Sequence, residues 1–149
     1  MKKILVLSDS HKQNQTIVSA INKECPDCLI FCGDLLSDLA AANTNLTCYA
    51  VKGNWDTFTS APAELVLKIE DVNIFITHGH KYKAKQRLEL LVNKANKVGA
   101  ELALFGHTHK PLCQTQNNVC LLNPGSVKKG SYAVVTIDGK KFDTVLKIL

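Results

Sequence analysis

Aromatic side chains make up only 6% of this 149-residue chain, which carries a single tryptophan and a single methionine. A surface that grips nucleic acid interleaves basic residues with stacking aromatics, so no stable nucleic-acid complex is expected. No apolar run approaches the roughly 20 residues that a membrane helix needs, and no membrane association is expected. Glycine and proline are sparse, at 8 and 4 residues. Internal repeats, low-complexity tracts and linkers are absent, which excludes fibrous and disordered classes. Met1-Lys2-Lys3 precedes an apolar run in the manner of a secretory leader. That run stops at Asp9 and His11 without a small-residue cleavage site, so it reads as a first strand and the expected location is cytoplasmic.

The composition is that of a globular protein, 46% hydrophobic and 21% charged, and residues 1–149 are read as one domain. The six cysteines, at 25, 28, 32, 48, 113 and 120, are expected as free thiols in a reducing compartment, most of them filling the core. Cys25-Pro26-Asp27-Cys28 has redox or zinc-knuckle spacing, but no second pair matches it and no helix opens on it. The net charge of +5 is dispersed, and Lys12, Lys52, Lys81, Lys128 and Lys129 lie near polar clusters, which favours an anionic substrate.

Aliphatic and β-branched runs predict strands over residues 4–8, 29–32 and 47–51. Helical patterns lie between them, over 15–23 with Asn14 as N-cap and over 35–42 with Ser37 near the start. The alternation implies a parallel sheet with right-handed crossovers. Residues 64–69 and 72–77 read as a hairpin, 85–98 as an amphipathic helix stopped by Gly99, and 102–105 as a buried strand. Beyond these, 112–116 pairs with 119–122 around Asn117-Asn118, and 132–137 with 142–149 around Asp138-Gly139. The fold class is α/β, a layered sandwich of two sheets covered by helices.

Five short polar clusters each follow an apolar run: Asp9-Ser10-His11, Gly33-Asp34, Gly53-Asn54-Trp55-Asp56, Thr77-His78-Gly79-His80 and Gly106-His107-Thr108-His109. Taken singly, each has an ordinary reading as a cap, a turn or a packed histidine. Taken together, they hold every one of the five histidines at predicted strand ends, where an α/β fold gathers loop residues into one site. Carboxylate, imidazole and carboxamide groups are the donor set for Mn²⁺, Fe²⁺, Ni²⁺ or Zn²⁺.

In this order the five clusters resemble the blocks of the calcineurin-like metallophosphoesterase superfamily. Asn123-Pro124-Gly125-Ser126 and the compact size resemble its small single-domain phosphodiesterases. The resemblance implies a four-layer αββα sandwich of two mixed sheets. It implies two divalent ions, Mn²⁺ foremost, one on Asp9, His11, Asp34 and His109 and one on Asp34, Asn54, His78 and His107. It further implies hydrolysis of small phosphate esters, chiefly diesters, by a hydroxide bridging the metals, with Asn54, His80 and Asp56 as further catalytic residues. Alternatives under the same resemblance are a phosphomonoesterase or protein phosphatase, and a non-catalytic scaffold like the retromer subunit of this branch. Self-association is left open. Two positions depart from the pattern. Trp55 stands where many larger relatives have a histidine held to protonate the leaving oxygen, and the Pro-Arg that often follows the Asn-Pro-Gly-Ser block is missing.

Overall fold

The computed structural model describes residues 1–149. The chain forms two five-stranded sheets. In the first, β1 (Lys2–Leu7) lies parallel to β2 (Cys28–Phe31), which lies parallel to β3 (Thr47–Ala50). Its other edge is the antiparallel pair β9 (Ser131–Asp138) and β10 (Lys141–Ile148). The second sheet has the order β4 (Glu64–Ile69), β5 (Val72–Thr77), β6 (Leu102–Leu104), β8 (Val119–Asn123), β7 (Leu112–Gln116). Only β5–β6 and β6–β8 are parallel there.

Side chains alternate across a strand, so each buried strand feeds two layers. Ile4 and Val6 of β1 point with Ile30, Ile74, Ile76, Leu104 and Val135 into a 16-residue core between the sheets. Leu5 and Leu7 point the other way, joining Leu29, Phe31 and Ile17 under α1 (Asn14–Glu24) and α2 (Leu36–Ala41). Phe75, Ala103 and Leu121 turn from the second sheet onto Leu91, Val92 and Ala95 of α3 (Glu89–Lys97). The result is the expected sandwich of helix, sheet, sheet and helix.

Several boundaries differ from expectation, each for a local reason. The helix expected over 85–98 begins only at Glu89, because the chain leaves His80 through a tight 3-10 turn (His80–Tyr82). Lys83 then adopts a left-handed φ of 54°. Asn14 is the first helical residue rather than the cap; Gln13 holds the cap position without a side-chain hydrogen bond. Of the cysteines, Cys28, Cys32 and Cys120 are buried, whereas Cys25 and Cys113 are exposed; all six are free.

Candidate metal centre

Strands β1, β2 and β3 run parallel and end on one side of the first sheet; β5 and β6 do the same in the second. Asp9, Asp34 and Asn54 follow the C-terminal ends of the first three, and His78 and His107 follow the ends of the other two. The loops therefore converge from both sheets, as the topology of open α/β sheets dictates.

The local backbone is unusual. Asp9, His11, Asp34, His107 and His109 have φ of 55°, 43°, 66°, 71° and 62°. The left-handed region costs a non-glycine residue about 1 kcal/mol or more, and such conformations persist only where surroundings over-determine them. Here the Asp9 N–H donates to Gly33 O at 2.9 Å, and the Asp9 carbonyl accepts from Ser126 Oγ at 2.8 Å. The Asp38 carboxylate accepts from Ser10 Oγ and the Lys12 N–H, both at 2.6 Å, and so closes the first loop. Asn123 Nδ2 donates to Gly106 O and Thr108 Oγ1 at 3.0 Å, which braces the loop that carries His107 and His109. Two glycines allow the carboxylates to sit this close to backbone. A Cβ at Gly53 would collide with the Asp34 carboxylate, and one at Gly106 with Ser8 Oγ and Asp9.

Asp9 is fully buried. Its Oδ2 accepts from Ser8 Oγ at 2.8 Å and from the His107 N–H at 3.0 Å, while Oδ1 has no hydrogen-bond partner. His78 is equally buried and donates Nδ1–H to Cys32 O at 2.7 Å, which assigns the lone pair of the neutral ring to Nε2. That Nε2 lies 3.1 Å from Asp34 Oδ2 and 3.8 Å from Asp9 Oδ1, yet it makes a hydrogen bond to neither. Ligand atoms of Asp9, His11, Asp34 and His109 lie within 4.8 Å of one another, with the two histidine Nε2 atoms 3.4 Å apart. Beside His78, which approaches Asp34, the ring centroid of His107 lies 5.1 Å away and that of His80 5.5 Å. Asn54 is exposed on its loop.

Buried oxygens and nitrogens left without partners are costly unless something satisfies them. The electrostatics point to a cation. Burial pushes the Asp9 carboxyl up, against the pull of His78, Ser8 and His109. Burial also tends to raise Asp34, but His78 and the Trp55 N–H outweigh it and hold this carboxyl below its ordinary range. Burial, with His78 and Lys85 adding to it, pushes His107 down to about 4. It lowers His80 and His109 as well, keeping imidazole lone pairs available at neutral pH. For His78 burial is outweighed by the two carboxylates, and its pKa rises. An N/O donor set of this kind, partly buried and unpaired, fits divalent transition-metal ions.

Asp56, expected to act in catalysis, has a different place. Its Oδ2 accepts the N–H groups of Asp34 and Gly53, both at 2.8 Å, and its Oδ1 those of Leu35 at 3.1 Å and Leu36 at 2.7 Å. Four donors fill the lone-pair sites of one carboxylate. Asp56 is thereby the cap of α2, in place of the expected Ser37 region, and a brace for Asp34. His80 lies beside His78 and His107, and its Nδ1 is buried without a partner. Sequence reasoning missed Asp38, which reads there as an ordinary acidic residue of a helix, and missed what Ser8, Asn123 and Ser126 do.

Comparison with known proteins gives the same picture. The model of the calcineurin-like phosphoesterase superfamily domain matches residues 1–140. The probable metallophosphoesterase YsnB of Bacillus subtilis is 34% identical over 145 residues, which cover 91% of this chain and 84% of that protein. The phosphodiesterase MJ0936 of Methanocaldococcus jannaschii is 28% identical over 144 residues, 83% of this chain and 82% of that one. A Streptococcus pneumoniae protein described as a predicted phosphoesterase superposes with a TM-score of 0.83 at 26% identity, covering 99% of this chain and 89% of its own. Zinc-bound Vps29 of Entamoeba histolytica superposes at 0.81 with 19% identity, covering 99% and 98%, a likeness of fold alone.

Proposed function

This chain belongs to the calcineurin-like phosphoesterase superfamily, and on that premise we propose that it is a single-domain phosphodiesterase working with two divalent cations, Mn²⁺ foremost. The observation that carries the reading is the pair of buried, unpartnered atoms Asp9 Oδ1 and His78 Nε2, 3.8 Å apart, with an Asp34 carboxylate oxygen 3.1 Å from the latter. Asp9, His11, Asp34 and His109 would hold one cation. Asp34, Asn54, His78 and His107 would hold the other, with Asp34 shared. When bound, such cations offset charge on the phosphoryl oxygens and bring the pKa of a water near 7, so that no protein base is required.

The protein's own groups do the rest. The Cys32 carbonyl fixes the His78 tautomer, and Ser8 with the His107 N–H fixes the Asp9 rotamer, leaving one face of each group open. The exposed Asn54 carboxamide donates to a phosphoryl oxygen, adding to charge stabilisation in the transition state. Burial lowers the His80 pKa from its ordinary value, so at neutral pH the ring donates a hydrogen bond rather than delivering a proton as imidazolium. Position 55 carries an indole, which is no acid. Departing oxygens that need little protonation are therefore favoured. The substrates are small phosphate esters. Six free thiols agree with a reducing, cytoplasmic setting. No helix is long and apolar enough to cross a membrane.

The test is hydrolysis of bis(p-nitrophenyl) phosphate and of p-nitrophenyl phosphate by the purified protein with Mn²⁺. Diester turnover above monoester turnover, abolished by EDTA and restored by added metal, is expected. Metal-replete protein that turns over neither ester would refute the reading and favour a scaffold role, the alternative suggested by the Vps29 fold.

A further inference from the structure

Trp55, the only tryptophan of the chain, is 65% exposed, and Phe58 on the same loop is fully exposed. Exposure of one large apolar side chain is unremarkable. Its setting is not. The indole lines an open cleft of about 500 Å³ together with His11, Lys12, Leu35, His109 and Lys128. This is within the size range of small-ligand sites, about 300–1,000 Å³. Two of those residues belong to the candidate metal centre, so the cleft opens directly from it.

Two further features mark the cleft. The side chain of Trp55 is free, but its backbone is clamped: the Trp55 N–H donates to Asp34 Oδ1 at 3.0 Å, and Asp56 anchors the flanking loop through Gly53 and Asp34. The loop that carries the indole is thus held in place beside the candidate centre, so only the side chain itself is left to order on binding. Lys12 and Lys128 are exposed and form no ion pair with any carboxylate of the chain. Neither lysine has a carboxylate partner in the cleft, so both leave positive charge available to an anion bound there.

We propose that this cleft is the subsite for the organic group of the substrate, that the group is a flat aromatic base stacked on Trp55, and that Lys12 and Lys128 pair with the phosphate charge. The substrate class is nucleotide-like phosphate esters. This deepens the phosphodiesterase reading and rests on it for the position of the reacting phosphate. A single platform holds one base, consistent with a small molecule rather than a strand.

The single tryptophan makes the test direct. Trp55 fluorescence is titrated with adenosine 5′-monophosphate and with ribose 5-phosphate at constant Mn²⁺, and both affinities are measured by calorimetry. The nucleotide is expected to quench saturably while the sugar phosphate does not. Trp55→Ala should weaken the nucleotide about tenfold or more and leave the sugar phosphate unchanged, and Trp55→Tyr should recover most of the loss. Lys12→Gln with Lys128→Gln should weaken both ligands alike. Equal affinity for the two ligands in wild type and Trp55→Ala, or nucleotide binding without quenching, overturns the proposal. Turnover of bis(p-nitrophenyl) phosphate by the same preparation separates the two readings. Turnover without stacking defeats the subsite alone, whereas stacking without turnover supports the subsite and defeats the activity.

Discussion

Replacing Asp56 is the perturbation that asks most of this structure. In Asp56→Ala four backbone N–H groups, of Gly53, Asp34, Leu35 and Leu36, lose their acceptor at once. A hydrogen bond to a charged group contributes about 1.5–3 kcal/mol when buried. Asp56 is half-buried and water reaches part of the gap, so a total of about 3–5 kcal/mol is reasonable, against about 5–15 kcal/mol for a whole domain. For a chain of this size the midpoint should fall by about 8–15 °C. Asp56→Asn keeps one oxygen but turns an amide N–H₂ against two of the donors, so about half the effect is expected. Asp34 and Leu35 hold φ of 66° and 71° under this clamp, so the loop should relax and cation affinity should fall with stability. Thermal melts with metal titration well below the midpoint read both quantities. Asp56→Ala with the wild-type midpoint and metal affinity, but a lowered kcat, would refute the clamp and return Asp56 to the groups that act on substrate.

Two other perturbations have clear signs. Glu24 is buried where it accepts from Tyr132 Oη at 2.7 Å and pairs with Lys147 and Lys3 at 2.9 and 3.0 Å. Burial would raise its pKa, but these partners outweigh that and hold it at about 2, against 4.5 ordinarily. Its stabilisation, about 1–3 kcal/mol with the half-exposed lysines screened, is complete above pH ~4.5 and disappears as pH falls towards about 2. Glu24→Gln should therefore melt below wild type at pH 7 and converge with it near pH 2, while leaving metal affinity intact; a gap that persists at pH 2 would contradict this. Asp34→Asn should reduce both bound metals, whereas His11→Ala and His78→Ala should each weaken mainly one, as read by metal counting. Two tightly held metals in Asp34→Asn would exclude the shared role.

How much of this could be read from sequence divides along a physical line. Short, nearly continuous aliphatic and β-branched runs at residues 4–8, 29–32 and 72–77 define buried strands, and β1, β2 and β5 lie there within a residue or two. Polar groups at strand ends point to a site because parallel topology must bring them together. What stayed hidden depends on long-range partners. The start of α2 is capped by Asp56, 20 residues further on, so no local N-cap signal marks it. Asp38 looks like any helix acid until Ser10 and Lys12 are seen around it. Left-handed Asp9, Asp34 and His107 are invisible as well, since glycine is the residue that announces such a conformation and none of them is glycine.

The two sheets supply different halves of the centre, and this ties its chemistry to the stability of the fold. Asp9, His11 and Asp34 come from the first sheet, and His78, His107 and His109 from the second. Their relative position is therefore set by the packing of Ile4, Val6 and Ile30 on Ile74, Ile76 and Leu104. Interiors packed this closely transmit small shifts rather than absorb them. Asp9 Oδ1 and His78 Nε2 come together without hydrogen-bond partners at that edge, where the apolar core brings the two sheets into contact. A cation bound between the sheets would satisfy both atoms, and by linkage whatever binds only the folded state stabilises it. Left-handed loops, unpartnered polar atoms and a tight inter-sheet core are thus parts of one arrangement, in which burial of aliphatic surface sets the positions of the donor groups.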